Sequence, residues 1–213
     1  MNHEIRTPLN AITGFSKLMA DDNGSLTKEE KSTYSGIISD NSDMLLTMVN
    51  DLLDISELET GKMKFSIAPC SMDDVCRAAI SSCKSKVPEG VALQFAHLGP
   101  DVQANTDKQR VAQVIINFIS NACKNTEKGS ITVDYGADAT TRTITLSVTD
   151  TGKGVPADKA GTIFQRFEKL DSFKEGTGIG LNICALIADG LKGEVKLDQS
   201  YAGGARFLFT FPY

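Results

Sequence analysis

The sequence predicts an α+β fold, with an N-terminal helical hairpin that pairs with a second copy as a dimeric four-helix bundle and then an α/β sandwich. Three observations carry this. Residues 34–55 hold an apolar heptad seam with a second apolar stripe beside it. After Gly61 the texture changes to short strand-like runs interleaved with helical patterns. Short turn signals join or precede those runs, which favours antiparallel pairing with the helices on one face.

Taken in order, Ile5, Leu9, Ile12, Phe15 and Met19 recur at spacings of three and four, the mark of one apolar helix face over residues 4–20. Pro8 within it lacks an N–H and predicts a bend. Asp21-Asp22-Asn23-Gly24 breaks the pattern, and Thr27 with Glu30 three residues later forms a capping box that starts a second helix. Tyr34, Ile38, Asn41, Leu45, Met48, Leu52 and Ile55 make its seam, with Asn41 fixing register, while Ile37, Met44, Leu46, Val49 and Leu53 widen the stripe. A single hairpin cannot cover so wide a stripe, so a homodimer is predicted. The expected domains are a helical hairpin over 1–61, a linker over 62–64 and a second domain over 65–213. In that domain strands are expected at 131–135, 143–149, 194–197 and 205–211, with Gly136-Ala137-Asp138-Ala139 as the turn between the first two. Helices are expected at 72–84, 107–126 and 179–189.

Composition narrows the class of function. Of 213 residues 41% are hydrophobic and 23% charged, and the net charge of −5 comes without a long basic block, which argues against nucleic acid or a membrane surface as the partner. Five cysteines, odd in number and without a Cys-x-x-Cys pair, suit free thiols that fill core positions in a reducing compartment. No run approaches the roughly 20 apolar residues of a membrane span, and MNHEIRTPLN lacks the order of a signal peptide. The chain starts inside a helix motif. It therefore reads as a cytoplasmic fragment of a larger protein, membrane-anchored or not.

Four constellations could do chemistry. A helix puts His3 and Thr7 on one face and Glu4 beside the imidazole, where its carboxylate can fix the tautomer and free one ring nitrogen for attack. Asn117, Asn121 and Lys124 share a helix face opposite Val111, Val114, Ile115, Phe118 and Ala122; two amide oxygens can ligate Mg²⁺ and an ammonium can meet phosphate. Asp150-Thr151-Gly152-Lys153-Gly154 follows a strand, so glycines let backbone approach a ligand whose amine the carboxylate can accept. Gly176-Thr177-Gly178-Ile179-Gly180-Leu181 opens a helix whose N–H groups and positive end suit an anion, without the spacing of a dinucleotide fingerprint or a P-loop. Standing alone, His3 beside Glu4 reads first as an exposed helix residue and the Asn117 stripe first as a solvated helix face, while the Asp150 set reads equally well as a turn. Between the two glycine sets, Ile163–Phe167 and a polar stretch to Glu175 have the length of a lid; Phe164 and Phe167 read as packing residues, and Arg166 as a contact to phosphate or a partner.

In this order HEIRTPLN, NFISNACKNT, DTGKGVP, IFQRF and GTGIGL resemble the H, N, first G, F and second G boxes of the sensor histidine kinases of two-component signalling, across nearly the whole chain. The resemblance implies an α/β sandwich of the Bergerat (GHKL) type and an antiparallel dimer bundle displaying His3. It also implies that His3 takes the γ-phosphoryl group of ATP with Glu4 as base and that Asn117 and Asn121 hold Mg²⁺. Lys124 would then meet phosphate and Asp150 read adenine, with Gly152, Gly154, Arg166, Gly176, Thr177, Gly178, Gly180 and Leu181 around the nucleotide. A response regulator's receiver domain would accept the phosphoryl group on an aspartate, and Thr7 matches the position that places water for dephosphorylating it. One departure stands out: Asn125 follows Lys124 where the family usually has an aromatic residue bordering adenine, which implies weaker ATP binding. Two other readings use the same residues. A kinase-like dimer could dock a regulator without phosphorylating it, with Asn125 in its favour, and a chaperone or repair clamp could share the nucleotide fold but would need no His3 on a hairpin.

Overall fold

The computed structural model describes residues 2–165 and 178–213. It divides into two units, one running to Ser56 and the other from Glu57 to Tyr213.

The first unit is built from α1 (Asn2–Ala20) and most of α2 (Lys28–Glu59). Pro8 lies inside α1. The capping box forms as expected: Thr27 N–H donates to Glu30 Oε2 (2.8 Å) and Glu30 N–H to Thr27 Oγ1 (3.1 Å). The Thr27 N–H and the Thr27 hydroxyl, which also donates to Oε2 (2.9 Å), hold the Glu30 carboxyl below its ordinary range. Asp22 organises the turn, with Oδ1 accepting Gly24 N–H (2.9 Å) and Leu26 N–H (3.0 Å) and Oδ2 meeting Lys31 Nζ (2.7 Å). The Phe15 and Tyr34 rings join the two helices, with centroids 5.1 Å apart. Every seam residue from Tyr34 to Ile55 is buried or half-buried, whereas Leu46, Val49 and Leu53 stay exposed. The Asn41 amide donates within its own helix, to Ile37 O (2.7 Å). After α2, Gly61 adopts φ +65° and Lys62 N–H returns to Glu57 O (2.9 Å), a left-handed C-terminal cap that favours glycine.

In the second unit a five-stranded sheet runs β2-β4-β5-β7-β6, from β2 (Val91–Phe95), β4 (Gly129–Asp138), β5 (Thr143–Asp150), β6 (Glu194–Leu197) and β7 (Arg206–Pro212). β2 pairs in parallel with β4, and all its other pairings are antiparallel. A separate two-stranded sheet joins β1 (Ala68–Ser71) to β3 (Gln103–Thr106). Helices α3 (Met72–Cys83), α4 (Lys108–Asn125) and α5 (Gly180–Gly190) supply the other layer. Alternate residues of β5 and β7, Ile144, Leu146 and Val148 with Phe207, Phe209 and Phe211, are buried, the pattern of a sheet with one face covered.

Two expectations need correction. Gly136-Ala137-Asp138 continue β4 and pair with Thr145, Ile144 and Thr143, so the turn lies beyond them. There Asp138 Oδ1 accepts Thr140 N–H (2.8 Å), and the aspartate that suggests a turn acts as its side-chain anchor. Strands β1, β2 and β3 were not expected. The five cysteines are free thiols, three of them buried, and burial pushes Cys76 up to about 12.

Candidate nucleotide site

Helix α4 begins on Asp107, whose buried carboxylate accepts Gln109 N–H (3.0 Å) and Arg110 N–H (3.1 Å). Val111, Val114, Ile115, Phe118 and Ala122 are all buried, which fixes the helix's rotation and leaves Asn117, Asn121 and Lys124 on another face. Asn117 Nδ2 donates to Gly180 O (3.2 Å), the first residue of α5. A Cβ on Gly180 would pack against the Asn117 amide at 3.6 Å. The second and fourth constellations therefore meet at this contact.

Asp150 ends β5 and is 2% exposed. Its Oδ1 accepts Gly152 N–H (2.9 Å) and Ala205 N–H (3.2 Å), while Oδ2 takes no hydrogen bond from the described residues. Burial raises the Asp150 carboxyl above the ordinary range, and the two N–H bonds oppose that rise. Glycines make the convergence possible. A Cβ on Gly152 would collide with Asn125 O, and one on Gly204 with Asp150 O; Gly154, at φ +71°, sits against Gly204 O. Three backbone segments thus close around one buried carboxylate that keeps an oxygen available.

Gly178 adopts φ +66° just before α5, and no side chain caps the first turn of that helix. The positive end of α5 is the chemistry of an anion site beside Asn117. Leu181 is half-buried in that first turn. The amide oxygens of the half-buried Asn117 and Asn121 suit a hard cation that keeps water and phosphate as its other ligands, and no group of three His, Cys, Asp or Glu among the described residues offers an alternative.

Some expectations fall elsewhere. Arg166, Phe167, Gly176 and Thr177 lie outside the described residues. His3, Glu4 and Thr7 all lie in α1, in the other unit, with Thr7 exposed. Phe164 packs edge-on against Phe207, with centroids 6.2 Å apart, as its reading as a packing residue requires. Sequence reasoning missed two contributors and read a third, Asn125, only as a missing aromatic. Ala205 acts through its backbone N–H, which no side-chain pattern reports, although the Gly203-Gly204 pair before the last strand signals a close approach. Asn182 Nδ2 holds Phe164 O (3.1 Å) from the first turn of α5. Asn125 bonds to Asn121.

Residues 106–213 match the family described as histidine kinase-, DNA gyrase B- and HSP90-like ATPase. Residues 1–61 match the His Kinase A (phospho-acceptor) domain. The autoinducer 2 sensor kinase/phosphatase LuxQ of Vibrio harveyi is 35% identical over the whole of this chain, which covers 26% of LuxQ. The two-component system protein A of Emericella nidulans is 33% identical over 99% of this chain and 32% of its own. The chain thus spans about a quarter to a third of these relatives. Full-length ShkA, solved in complex with AMPPNP, superposes with a TM-score of 0.77 at 31% identity over 99% of this chain and 44% of its own. No described helix is long and apolar enough to cross a membrane.

Proposed function

The chain belongs to the histidine kinases of two-component signalling, and from that premise we propose that it is a phosphotransfer core acting as a homodimer. In this reading residues 1–61 dimerise and carry the phospho-acceptor His3, residues 62–64 link, and residues 65–213 bind ATP. A ring nitrogen of His3 attacks the γ-phosphorus of ATP, a nitrogen–phosphorus bond forms, the bond to the β–γ bridging oxygen breaks and ADP leaves. Glu4 accepts the proton from the other ring nitrogen, so the imidazole ends neutral. The phosphoryl group then passes to an aspartate of a response regulator's receiver domain, and Thr7, one turn after His3, places water for its later removal.

On the nucleotide side, Asp150 Oδ2 accepts the exocyclic amine of adenine while Gly152 and Ala205 hold Oδ1 still. Lys124, Arg166 and the Gly176–Leu181 segment, including Thr177, Gly178 and Gly180, meet the phosphates, and Gly154 lets backbone approach the base. Asn117 and Asn121 would hold Mg²⁺ through their amide oxygens. Bound there, the ion would neutralise charge on the phosphate oxygens as the γ-phosphoryl leaves, since phosphoryl transfer rests on positioning and electrostatics.

The observation that carries the reading is Asp150: a buried carboxylate, one oxygen pinned by two backbone donors and the other left for a ligand. The test is incubation with Mg²⁺ and γ-labelled ATP. Label that is acid-labile, base-stable and lost in His3→Gln is expected, and Thr7→Ala should keep that label while slowing regulator dephosphorylation. No label from a dimer that binds ATP would instead favour a kinase-like module that docks a regulator.

A further inference from the structure

Asn125 lies one turn beyond Asn121, at the last residue of α4. Its Nδ2 donates to Asn121 O at 2.8 Å and reaches Asn121 Oδ1 at 3.4 Å. The short bond to a backbone carbonyl decides which amide atom of Asn125 sits there, because only its NH₂ can donate. The second hydrogen of that NH₂ faces the Asn121 side chain, which must answer with its oxygen. Meanwhile Asn125 O accepts Lys153 N–H (3.3 Å) and lies where a Cβ on Gly152 would collide. One residue therefore steadies the Asn121 amide with its side chain and the Asp150–Gly154 turn with its backbone.

We propose that Asn125 is a positioning residue for the metal: it orients the Asn121 amide so that Oδ1, with one lone pair taken by Asn125, keeps the other for Mg²⁺. This rests on the reading of Asn121 as a magnesium ligand of bound ATP. An amide oxygen has two lone pairs, so accepting from Asn125 still allows ligation, whereas a rotated amide would present NH₂, which cannot ligate. Outer-shell partners of this kind tune metal affinity by about 10- to 100-fold, and the long 3.4 Å contact points to the lower end. Asn125 also offers adenine no aromatic ring to stack on. Nucleotide binding by this chain thus leans on the metal more than on the base.

Calorimetric titration with AMPPNP, once with Mg²⁺ and once with EDTA, separates the two contributions, because the ratio of the two dissociation constants is the gain due to metal. Asn125→Ala should cut that gain about tenfold and leave the metal-free constant within about twofold, which also confirms the fold. Asn125→Tyr should tighten metal-free binding yet show the same cut of about tenfold in the metal gain. An unchanged gain in both variants, or equal weakening with and without metal in Asn125→Ala, would overturn the proposal. A native chain that binds AMPPNP without any metal gain overturns it while leaving ATP binding intact; a native chain that binds no AMPPNP at all removes both.

Discussion

The hairpin and the nucleotide unit satisfy their side chains in opposite ways. In the hairpin the polar groups bond locally: Thr13 to Leu9 O, Thr33 to Glu29 O, Asn41 to Ile37 O and Thr47 to Asp43 O all reach four residues back. Its apolar groups are left over, with Leu46 62%, Val49 52% and Leu53 59% exposed on one helix. In the nucleotide unit the polar contacts that matter join distant segments, Ser66 to Asp107, Ala205 to Asp150 and Asn117 to Gly180, while Phe118, Phe207, Phe209 and Phe211 are at most 1% exposed. The first unit leaves an apolar face of α2 exposed, the face that the proposed homodimer would cover. The second closes on itself and leaves a polar atom, not an apolar face, for its ligand.

The largest expected effect would break this comparison on the hairpin side. Leu46→Glu with Leu53→Glu puts unpaired carboxylates into the face assigned to the dimer, and should weaken dimerisation about a thousandfold, roughly 4 kcal/mol. Sedimentation equilibrium reads this directly. Nucleotide affinity should not change, because the Asp150 site lies within the other unit. A dimer of unaltered affinity would mean that some other surface covers those leucines.

A smaller effect sharpens the nucleotide side by separating stability from binding at one residue. Burial raises the Asp150 carboxyl, so its ionised form weakens the fold at neutral pH, and this penalty is relieved as pH falls through the raised folded value. Asp150→Asn removes the charge and keeps an oxygen for Gly152 and Ala205. The variant should therefore unfold at the same or a higher temperature at pH 7, with its advantage shrinking in acid. It should bind ATP about 10- to 100-fold more weakly, the roughly 1.5–3 kcal/mol of a hydrogen bond to a charged group. A variant that unfolds earlier and loses affinity in proportion would assign Asp150 to the fold alone.

What could be read in the sequence follows the same divide. Local signals survived: the heptad seam, the Thr27–Glu30 box, the buried face of α4 and the strand ending at Asp150 need only neighbouring residues to be recognised. Pairing over distance was not legible. Ala68-Pro69-Cys70-Ser71 and Gln103-Ala104-Asn105-Thr106 have no strand pattern, and each is a strand because the other lies opposite, Ala68 against Thr106. Gly136 and Asp138 are strong turn signals, yet the ladder with Thr145 and Thr143 overrides them. Around Asp150 the sequence offers a candidate side chain but no side-chain pattern that marks the backbone donor Ala205. Asn125 read as the loss of an aromatic because a sequence cannot show that its amide reaches Asn121.

The smallest prediction tests whether the hairpin's local bonding matters on its own. In the capping box the Thr27 hydroxyl accepts Glu30 N–H (3.1 Å), and Glu30 Oε2 in return accepts both Thr27 N–H (2.8 Å) and its hydroxyl (2.9 Å). Thr27→Ala leaves the Glu30 N–H of the first turn of α2 without that partner and should cost about 1 kcal/mol. Thr27→Ser keeps the oxygen and should be close to neutral. Both would be read from the unfolding midpoint of the dimer at fixed protein concentration, since assembly contributes to it. Because Thr27 N–H still reaches Glu30 in the alanine variant, a loss well beyond 1 kcal/mol would mean that the turn ordered by Asp22 and Lys31 depends on the cap as well. No loss would show that packing along the seam, and not the cap, sets where α2 begins.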